Sequence, residues 1–325
     1  MTRYFLGASQ EEFPPEDLLR QAVEAESARF DGVSSSDHLQ PWWEGGESGH
    51  AWPWLGAAGQ ATSTVPLGTG VTSTGARYHP VLIAQAWMTM ERLFPGRMFL
   101  GIGSGEALNE VPVGDEWPPV EDQIARMEEA LSIIDRLWKG ETITQEGRFY
   151  KLRDARLHTL APRRPPIWVS AFGERAARVA GRWGDGVWTL PDPESTPAVI
   201  QAFREERGGD TGEVVFQALF SWAEDDEAAF ESVRKWKGAQ PTEHYREDWH
   251  EPRKMYEHGE EQISDDELRR SVIVGSDVEQ HVERIRELLQ MGPTVIVLQN
   301  NSPDPHKAIE VYGEKVLPAL RSVRV

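Results

Sequence analysis

Short apolar segments alternate with amphipathic segments along almost the whole 325-residue chain. The apolar segments are rich in β-branched and aromatic residues and are bounded by Gly, Pro and Asp, which is typical of buried parallel strands. The amphipathic segments repeat their apolar residues at helical spacing. We predict eight strands, at residues 3–9, 32–37, 66–71, 98–104, 166–172, 186–190, 214–222 and 294–300. We predict eight helices, at residues 15–29, 80–94, 119–138, 174–183, 194–206, 224–237, 277–290 and 304–321.

The alternation of strands and helices predicts an α/β fold built from βα units with right-handed crossovers. A closed (β/α)8 TIM barrel and an open doubly wound sheet alternate equally well, so the pattern alone does not decide whether the sheet closes. Single α/β barrels commonly reach this chain length. We therefore interpret residues 1–325 as one domain.

Two segments interrupt the alternation. Residues 139–165 alternate with period two around a glycine turn, which predicts a β-hairpin insertion. Residues 238–270 are polar and rich in His and acidic residues, and they predict a long insertion with one short helix before the last strand. Long insertions near the carboxyl ends of barrel strands usually shape the active site.

Composition narrows the class of protein. The chain has no cysteine, which excludes disulfides and thiolate chemistry and fits a cytoplasmic protein. The N-terminus lacks the pattern of a signal peptide, and no apolar run is long enough for a membrane helix, so we expect a soluble protein. The net charge of −19 argues against binding of nucleic acid or of anionic membranes. We interpret the scattered acidic residues as a solubility device.

Two features imitate cofactor or metal motifs. The segment GIGSGE at 101–106 has glycines at positions 1, 3 and 5, whereas a dinucleotide fingerprint needs positions 1, 3 and 6. His244, His250 and His258 are separated by six and eight residues, which matches no usual pair of zinc ligands. We therefore expect no metal site, and we interpret these histidines as solvated side chains in an acidic loop.

The first candidate site follows the second predicted strand, in SSSDHLQPWW at 34–43. Asp37 and His38 stand where a barrel strand ends and its loop begins, the usual position of catalytic groups. His38 can exchange protons near neutral pH, Asp37 can orient it or bind a ligand, and Trp42 can wall the pocket. The alternative is structural: Asp37 caps the next turn, and His38 forms a hydrogen bond inside the core.

The second candidate site follows the fourth predicted strand, in GSGEALNE at 103–110. Ser104 and the neighbouring glycines allow backbone amides to approach a ligand closely. Glu106 would then face the barrel mouth. A carboxylate and a histidine on opposite sides of that mouth can act as an acid–base pair. The alternative is that Glu106 occupies the first turn of the next helix, where negative charge is favourable.

These motifs occur in a specific order. Taken together, they resemble the F420-dependent glucose-6-phosphate dehydrogenase group of the luciferase-like superfamily. The resemblance runs from about residue 4 to residue 190 and returns more weakly over 264–320. It rests on the segments GASQEEF, SDHLQPWW, GTGVTSTGARYHP, PGRMFLGIGSGEALNE, WPP and ARVAGRWGDGVWT.

The resemblance implies a luciferase-like (β/α)8 barrel, a homodimer, and the deazaflavin F420 bound across the carboxyl ends of the strands. It implies that Gly70 and Val71 form a bulge with a non-prolyl cis peptide behind the cofactor ring. It further implies that the ring and tail contact a set of loop residues. These implied contacts are Asp37, Gly70, Val71, Ser104, Gly105, Glu106 and Asn109, with Ala171, Gly173 and Thr189 at the phosphate region of the tail.

The resemblance also implies a mechanism of hydride transfer. His38 would take the proton of the substrate hydroxyl, and Glu106 would stabilise or protonate the reduced ring. Trp42 would cover the reacting centre, and Glu11 corresponds to a further active-site carboxylate. The cofactor supplies the electron chemistry, and the protein orients the reacting carbon and handles the proton.

The chain departs from this group where the group binds a sugar phosphate. Asp192 stands at one basic position and would repel a phosphate dianion. The second region, EHYRED at 243–248, offers only Arg246, and the third has Ser271 beside Arg269 and Arg270. A neutral alcohol, another sugar phosphate and an electron-poor acceptor all remain open as substrates. Two alternatives to the F420 enzyme also remain, an FMN-dependent reductase or monooxygenase and a non-catalytic flavin-binding barrel.

Overall fold

The computed structural model describes residues 2–322, and its strands run parallel around a closed barrel. A separate antiparallel pair lies outside the barrel. The strands are β1 Arg3–Ala8, β2 Gly32–Ser35, β3 Leu67–Thr69, β4 Thr72–Ser73, β5 Met98–Gly103, β6 Ile143–Glu146, β7 Lys151–Ala155, β8 Ile167–Ser170, β9 Gly186–Thr189, β10 Glu213–Trp222, β11 Ile273–Gly275 and β12 Val295–Asn300.

Closure distinguishes this barrel from an open doubly wound sheet. The hydrogen-bonded order is β1, β2, β3, β5, β8, β9, β10 and β12, and β12 pairs with β1 in parallel. The first and last strands of the chain are therefore neighbours, with Tyr4 opposite Ile296. The predicted (β/α)8 TIM barrel is confirmed. Two short strands were not predicted: β4 pairs with β5, and β11 extends the sheet beyond β10.

All eight predicted helices are present, and their bounds differ from the predictions by a few residues. The sequence analysis missed the helix over 51–61 because its sequence, AWPWLGAAGQA, combines Gly and Pro with no polar face. The helices are α1 Pro15–Ser27, α2 Ala51–Ala61, α3 Pro80–Leu93, α4 Ala107–Glu110, α5 Val120–Trp138, α6 Glu174–Trp183, α7 Thr196–Arg207, α8 Asp226–Arg234, α9 Pro252–Gln262, α10 Asp265–Ser271, α11 Val278–Leu289, α12 Pro305–Val311 and α13 Leu317–Ser322.

The two insertions lie where the sequence pattern changes. In the first, β6 and β7 pair antiparallel, as a hairpin requires. The second contains two helices, α9 and α10, and a 3-10 turn at Thr242–Tyr245, so the expectation of one short helix was wrong. Ser264 caps α10 through a capping box with Glu267, a local signal that the sequence contained.

Aromatic side chains fill the barrel interior. Phe5, Phe99, Trp168 and Trp188 are buried there, and the rings of Phe99 and Trp168 stack 4.3 Å apart. Val71 is partly buried and packs against this cluster. Residues that alternate with these along the strands point outward to the helices, as Tyr4 and Leu6 do. A filled interior confines any ligand to the two ends of the barrel.

Among residues 2–322, no helix is long and apolar enough to cross a membrane.

Candidate active site

The candidate residues meet at the carboxyl end of the barrel. Glu11 follows β1, His38 follows β2 and Glu106 follows β5. Because parallel strands end at the same rim, residues that are far apart in sequence become neighbours there. The structure therefore brings together the residues that the sequence analysis placed at the ends of three strands.

His38 lies between two carboxyl groups. Its Nε2 atom is 3.4 Å from Oε1 of Glu11 and 3.6 Å from Oε2 of Glu106. The side chains of His38, Glu11 and Glu106 are 12%, 2% and 22% exposed, so Glu106 is the most accessible of the three to a ligand. One imidazole nitrogen facing two carboxyl groups is an arrangement that can hold and move a proton.

Serine hydroxyls hold the carboxyl group of Glu11. Oε2 of Glu11 accepts hydrogen bonds from the Oγ atoms of Ser36, at 2.5 Å, and Ser9, at 3.3 Å. The Ser36 oxygen also accepts the Gln10 N–H at 2.9 Å, which fixes the position of this hydroxyl beside Glu11. These bonds orient the second oxygen of Glu11 toward His38. Sequence analysis did not identify either serine, because their contacts with Glu11 form only when the loops after β1 and β2 come together in the folded barrel.

Asn109 contacts both His38 and Glu106. Its Oδ1 accepts the backbone N–H of Leu39 at 2.7 Å. Its Nδ2 lies 3.3 Å from Nδ1 of His38 and 3.2 Å from Oε2 of Glu106. The side chain therefore ties the loop after β2 to the loop after β5 and fixes the position of the imidazole between them.

The charged form of Glu106 is disfavoured at this site. Burial raises the pKa of its carboxyl group, and the negative charges of Glu11 and Glu110 raise it further. A protonated His38 and the positive charge of Arg77 act in the opposite direction without reversing the shift. Glu106 therefore keeps its proton to higher pH than an ordinary glutamate, which suits a proton donor.

Replacing Glu106 by glutamine is expected to stabilise the protein at alkaline pH. An unfolded glutamate ionises at its ordinary pKa, whereas the folded one resists ionisation, so the wild-type protein loses stability as the pH rises through that window. Glutamine stays neutral, so the variant avoids this loss. Urea unfolding should give Glu106→Gln the higher unfolding free energy at about pH 8, with a difference that shrinks toward about pH 5.

The exposed carboxylate of Glu121 provides the control for this experiment. Glu121→Gln should leave the pH dependence of unfolding unchanged. Equal stability of Glu106→Gln and the wild-type protein at about pH 8 would show that burial does not oppose ionisation of Glu106.

Three aromatic side chains form one wall of the site. Trp42 lies 5.4 Å from the His38 ring and 5.3 Å from the ring of Tyr245, and Phe172 meets Tyr245 edge-on at 5.5 Å. The Tyr245 hydroxyl donates to the carbonyl of Ala239 at 2.7 Å. Trp42 therefore lies in the wall beside His38, where the sequence analysis expected it. Tyr245, which lies next to Trp42, was not predicted. The one available signal was its place in an insertion expected near the site.

Asp37 is the centre of a buried network rather than an open ligand. Its Oδ1 accepts Nη2 of Arg77 at 2.6 Å and the hydroxyl of Tyr78 at 3.1 Å, and its Oδ2 accepts the Thr72 hydroxyl at 2.6 Å. The Asp37 side chain has no exposed surface. Its role as a direct cofactor contact stays a prediction; in this structure it anchors the segment after β3.

The residues predicted behind a cofactor ring line the same rim. The peptide between Gly70 and Val71 is cis, the conformation that the resemblance implies. Ser104 and Gly105 follow β5, and Gly105 has a φ of +94°, which favours glycine. A Cβ atom at Gly105 would lie 2.7 Å from the Ser73 hydroxyl. The rim here exposes backbone and small side chains, which suits a flat ring.

The residues predicted at the cofactor tail surround the start of α6. Ala171 and Thr189 follow or end neighbouring strands, and Gly173 precedes the first residue of α6. A Cβ atom at Gly173 would meet nothing within 4 Å, so there is open space at this position. The unpaired amides at a helix N-terminus bind phosphate. Small residues and a free helix end fit the phosphate-bearing tail of a deazaflavin, and these contacts stay predictions.

The histidines of the late insertion do not behave as expected. His244 is buried, and its Nε2 lies 2.9 Å from Nδ1 of His258. Burial lowers the pKa of His244. The interpretation of His244 as a solvated side chain was wrong, because the insertion folds onto it and Trp249 stacks on His258. Within residues 2–322, no group of three or more His, Cys, Asp or Glu side chains is arranged to hold a metal ion.

A closed parallel barrel with a histidine and two carboxyl groups at its carboxyl-end rim defines a barrel enzyme. A family model described as luciferase-like monooxygenase matches residues 1–294. The chain therefore belongs to the luciferase-like family, in the group of the F420-dependent glucose-6-phosphate dehydrogenases.

Three similar proteins support this assignment. An F420-dependent glucose-6-phosphate dehydrogenase of Microbacterium testaceum is 37% identical over 328 residues, which cover 98% of this chain and 97% of the relative. The one of Beutenbergia cavernae is 38% identical over 331 residues, with 99% and 98% covered. A solved F420-dependent secondary alcohol dehydrogenase in complex with an F420-acetone adduct is 32% identical with a TM-score of 0.94, covering 98% of this chain and 99% of its own.

Proposed function

We propose that the protein is an F420-dependent dehydrogenase that oxidises an uncharged alcohol, or reduces the matching carbonyl compound. The observation that carries this proposal is the group of His38, Glu11 and Glu106 at the rim of the barrel. Similar proteins of this family are named F420-dependent dehydrogenases, of glucose 6-phosphate and of secondary alcohols. Oxidation of an alcohol must remove a hydride from carbon and a proton from oxygen. The imidazole and the two carboxyl groups can accept and transfer that proton.

The cofactor region has the shape that this function needs. Val71, Ser104 and Gly105 would lie against the ring of F420, and Ala171, Gly173 and Thr189 would hold its tail. When bound, the deazaflavin accepts or returns the hydride. The protein orients the substrate: Trp42 and Tyr245 close one side of the rim, exclude water and present an apolar surface to the carbon skeleton of the alcohol.

The charged residues near the predicted phosphate site favour an uncharged substrate. Asp192 brings a negative charge, and its carboxylate accepts hydrogen bonds from Glu194 N–H and the Ser195 hydroxyl within its own turn. Arg269 stacks over the ring of Phe230 at 3.4 Å and pairs with Glu227 at 3.2 Å. An arginine engaged in this way is a weak partner for a phosphate dianion.

Two titrations of the apo-protein test the cofactor. A cofactor ring bound beside Trp42 should quench tryptophan fluorescence. We expect strong quenching by F420, which is the cofactor named for the similar proteins, and little quenching by FMN. With F420 bound, propan-2-ol and larger secondary alcohols should reduce the cofactor. Glucose 6-phosphate should give a kcat/KM at least about tenfold lower, because one unfavourable charge contact costs about 1.4 kcal/mol or more.

The contrary results are equally clear. Preferential quenching by FMN would move the protein to the flavin-dependent reductases and oxygenases of the family. Faster reduction of F420 by glucose 6-phosphate than by any neutral alcohol would overturn the proposed substrate class. Binding of F420 without reduction by any alcohol would favour a non-catalytic barrel.

We further propose that the protein works in the cytoplasm as a homodimer. The absence of cysteine suits a reducing compartment. Leu82 on α3 is 52% exposed and lines an apolar groove beside Trp52, and Leu93 at the end of the same helix is 64% exposed. An exposed apolar face of this kind favours contact with a second copy, and light scattering of the purified protein measures the assembly.

A further inference from the structure

The orientation of the Asn109 amide can be determined from its backbone contacts. Its Oδ1 position lies 2.7 Å from Leu39 N and 3.4 Å from Gln40 N. Backbone N–H groups only donate hydrogen bonds, so the atom facing them must be the amide oxygen. The atom on the other side of the same group is therefore the NH2 nitrogen.

This orientation determines which nitrogen of His38 carries a proton. The NH2 group of Asn109 only donates, and its two N–H bonds are directed to Oε2 of Glu106 at 3.2 Å and Nδ1 of His38 at 3.3 Å. Nδ1 must accept, so it is unprotonated. A neutral imidazole has one proton, which consequently lies on Nε2. A second proton on Nδ1 would point at the N–H bonds of the amide.

The Nε2 atom of His38 is the one that faces the reaction site, between Glu11 and Glu106. Once it bears a proton, it has no lone pair with which to accept another. Neutral His38 therefore donates a hydrogen bond at the site and does not remove a proton there. This differs from the role of general base that the resemblance implies for His38.

We infer that Asn109 is a positioning residue that holds neutral His38 as the Nε2–H tautomer, so that a carboxylate, Glu11, accepts the proton of the alcohol. Oε1 of Glu11 faces Nε2 of His38, and Oε2 is held by the hydroxyls of Ser36 and Ser9. Because both serine hydroxyls bond to Oε2, Oε1 is the oxygen of Glu11 that is left to meet the alcohol beside His38. Glu106 has none of these serine donors, and burial raises the pKa of its carboxyl group, so Glu106 holds a proton of its own and leaves Glu11 to accept the proton of the alcohol.

The step balances with the proposed cofactor as oxidant, and in this respect the inference rests on the proposed function. The alcohol oxygen accepts a hydrogen bond from His38 Nε2–H and donates to Oε1 of Glu11. Its O–H bond breaks toward Glu11, and its carbinol C–H bond breaks with both electrons, as hydride to the deazaflavin. The product is a carbonyl compound whose oxygen keeps the hydrogen bond from Nε2–H.

Long-range proton–nitrogen NMR of apo-protein labelled with 15N-histidine tests the tautomer without cofactor or substrate. The chain has nine histidines, and the spectrum of a His38→Gln variant identifies the signals of His38 by their absence. At about pH 8, where an exposed histidine is neutral, we expect an unprotonated Nδ1 and a protonated Nε2. A protonated Nδ1 in the wild-type protein would overturn the inference.

Two variants test the part played by Asn109. Asn109→Asp replaces the NH2 group by an oxygen, so the signals of His38 should change to those of a protonated Nδ1. Asn109→Leu removes the donor, so both tautomers should appear. The control is Asn300→Asp, because Asn300 is also buried and bonds to the backbone of Pro305 and Ser302. Signals of His38 that stay unchanged in both Asn109 variants would show that Asn109 does not set the tautomer.

The NMR result and the proposed function can fail separately. An enzyme that reduces F420 with alcohols but carries the His38 proton on Nδ1 contradicts the inference alone. A protein with the expected tautomer that transfers no hydride from any alcohol contradicts the proposed function alone.

Discussion

Replacing Glu11 by glutamine is expected to lower turnover of F420 with alcohols by about 10²–10⁴-fold, the usual contribution of a general acid–base group. Glutamine has nearly the same shape and can still accept the Ser36 hydroxyl, but it cannot take up a proton from the alcohol. Binding of F420, followed by quenching of tryptophan fluorescence, should change by less than about threefold, because the loss concerns a proton and not a cofactor contact.

The neighbouring residue offers a matched control. Glu12 is also a buried glutamate, but it bonds to Lys235, Trp236 and Asn301 and does not contact His38. Glu12→Gln should keep most of the turnover. If Glu11→Gln retains more than about a tenth of the wild-type rate, a different group accepts the proton.

Replacing Arg77 by methionine is expected to lower the free energy of unfolding by about 3–5 kcal/mol. Arg77 lies 2.6 Å from Asp37, and the two side chains are only 7% and 0% exposed. Its Nη1 also donates to the carbonyl of Asp37 at 2.9 Å. Without the guanidinium, the Asp37 charge stays buried with no cation beside it. Urea denaturation of the wild-type protein and the variant measures the difference.

An exposed ion pair provides the comparison. Arg175 and Glu121 lie 2.7 Å apart, with side chains 63% and 74% exposed, so Arg175→Met should cost less than about 1 kcal/mol. In the double variant Asp37→Asn with Arg77→Met, part of the stability should return because position 37 no longer carries a buried charge. A cost for Arg77→Met as small as that for Arg175→Met would mean that water reaches Asp37.

Much of the fold was predictable because the barrel strands are buried on both faces. Such strands read as short apolar runs, and each of the eight predicted runs contains a barrel strand. The pattern failed where an element is apolar all round or very short. The helix over 51–61 has no polar face, and the strands at 72–73 and 273–275 are shorter than any periodic signal.

The site was predictable to the extent that position along a strand implies position in space. Glu11, His38 and Glu106 each follow a strand, so the ends of parallel strands bring them to one rim. Tyr245 comes from an insertion without strand periodicity, and no pattern indicated which of its residues would reach Trp42. Asp37 was predicted to contact the cofactor, but its carboxylate accepts hydrogen bonds from Arg77 and Thr72 inside the protein.

The sequence by itself determined the α/β alternation, the strands, the residue types at their ends and the family to which these motifs point. These properties depend on local periodicity and on neighbours in the chain. The tertiary structure decided the closure of the barrel, the burial of Asp37 and His244, and the orientation of the Asn109 amide. These properties depend on contacts between residues tens of positions apart, such as the Leu39 N–H and Asn109 Oδ1 pair, which form only when the strands assemble into one sheet.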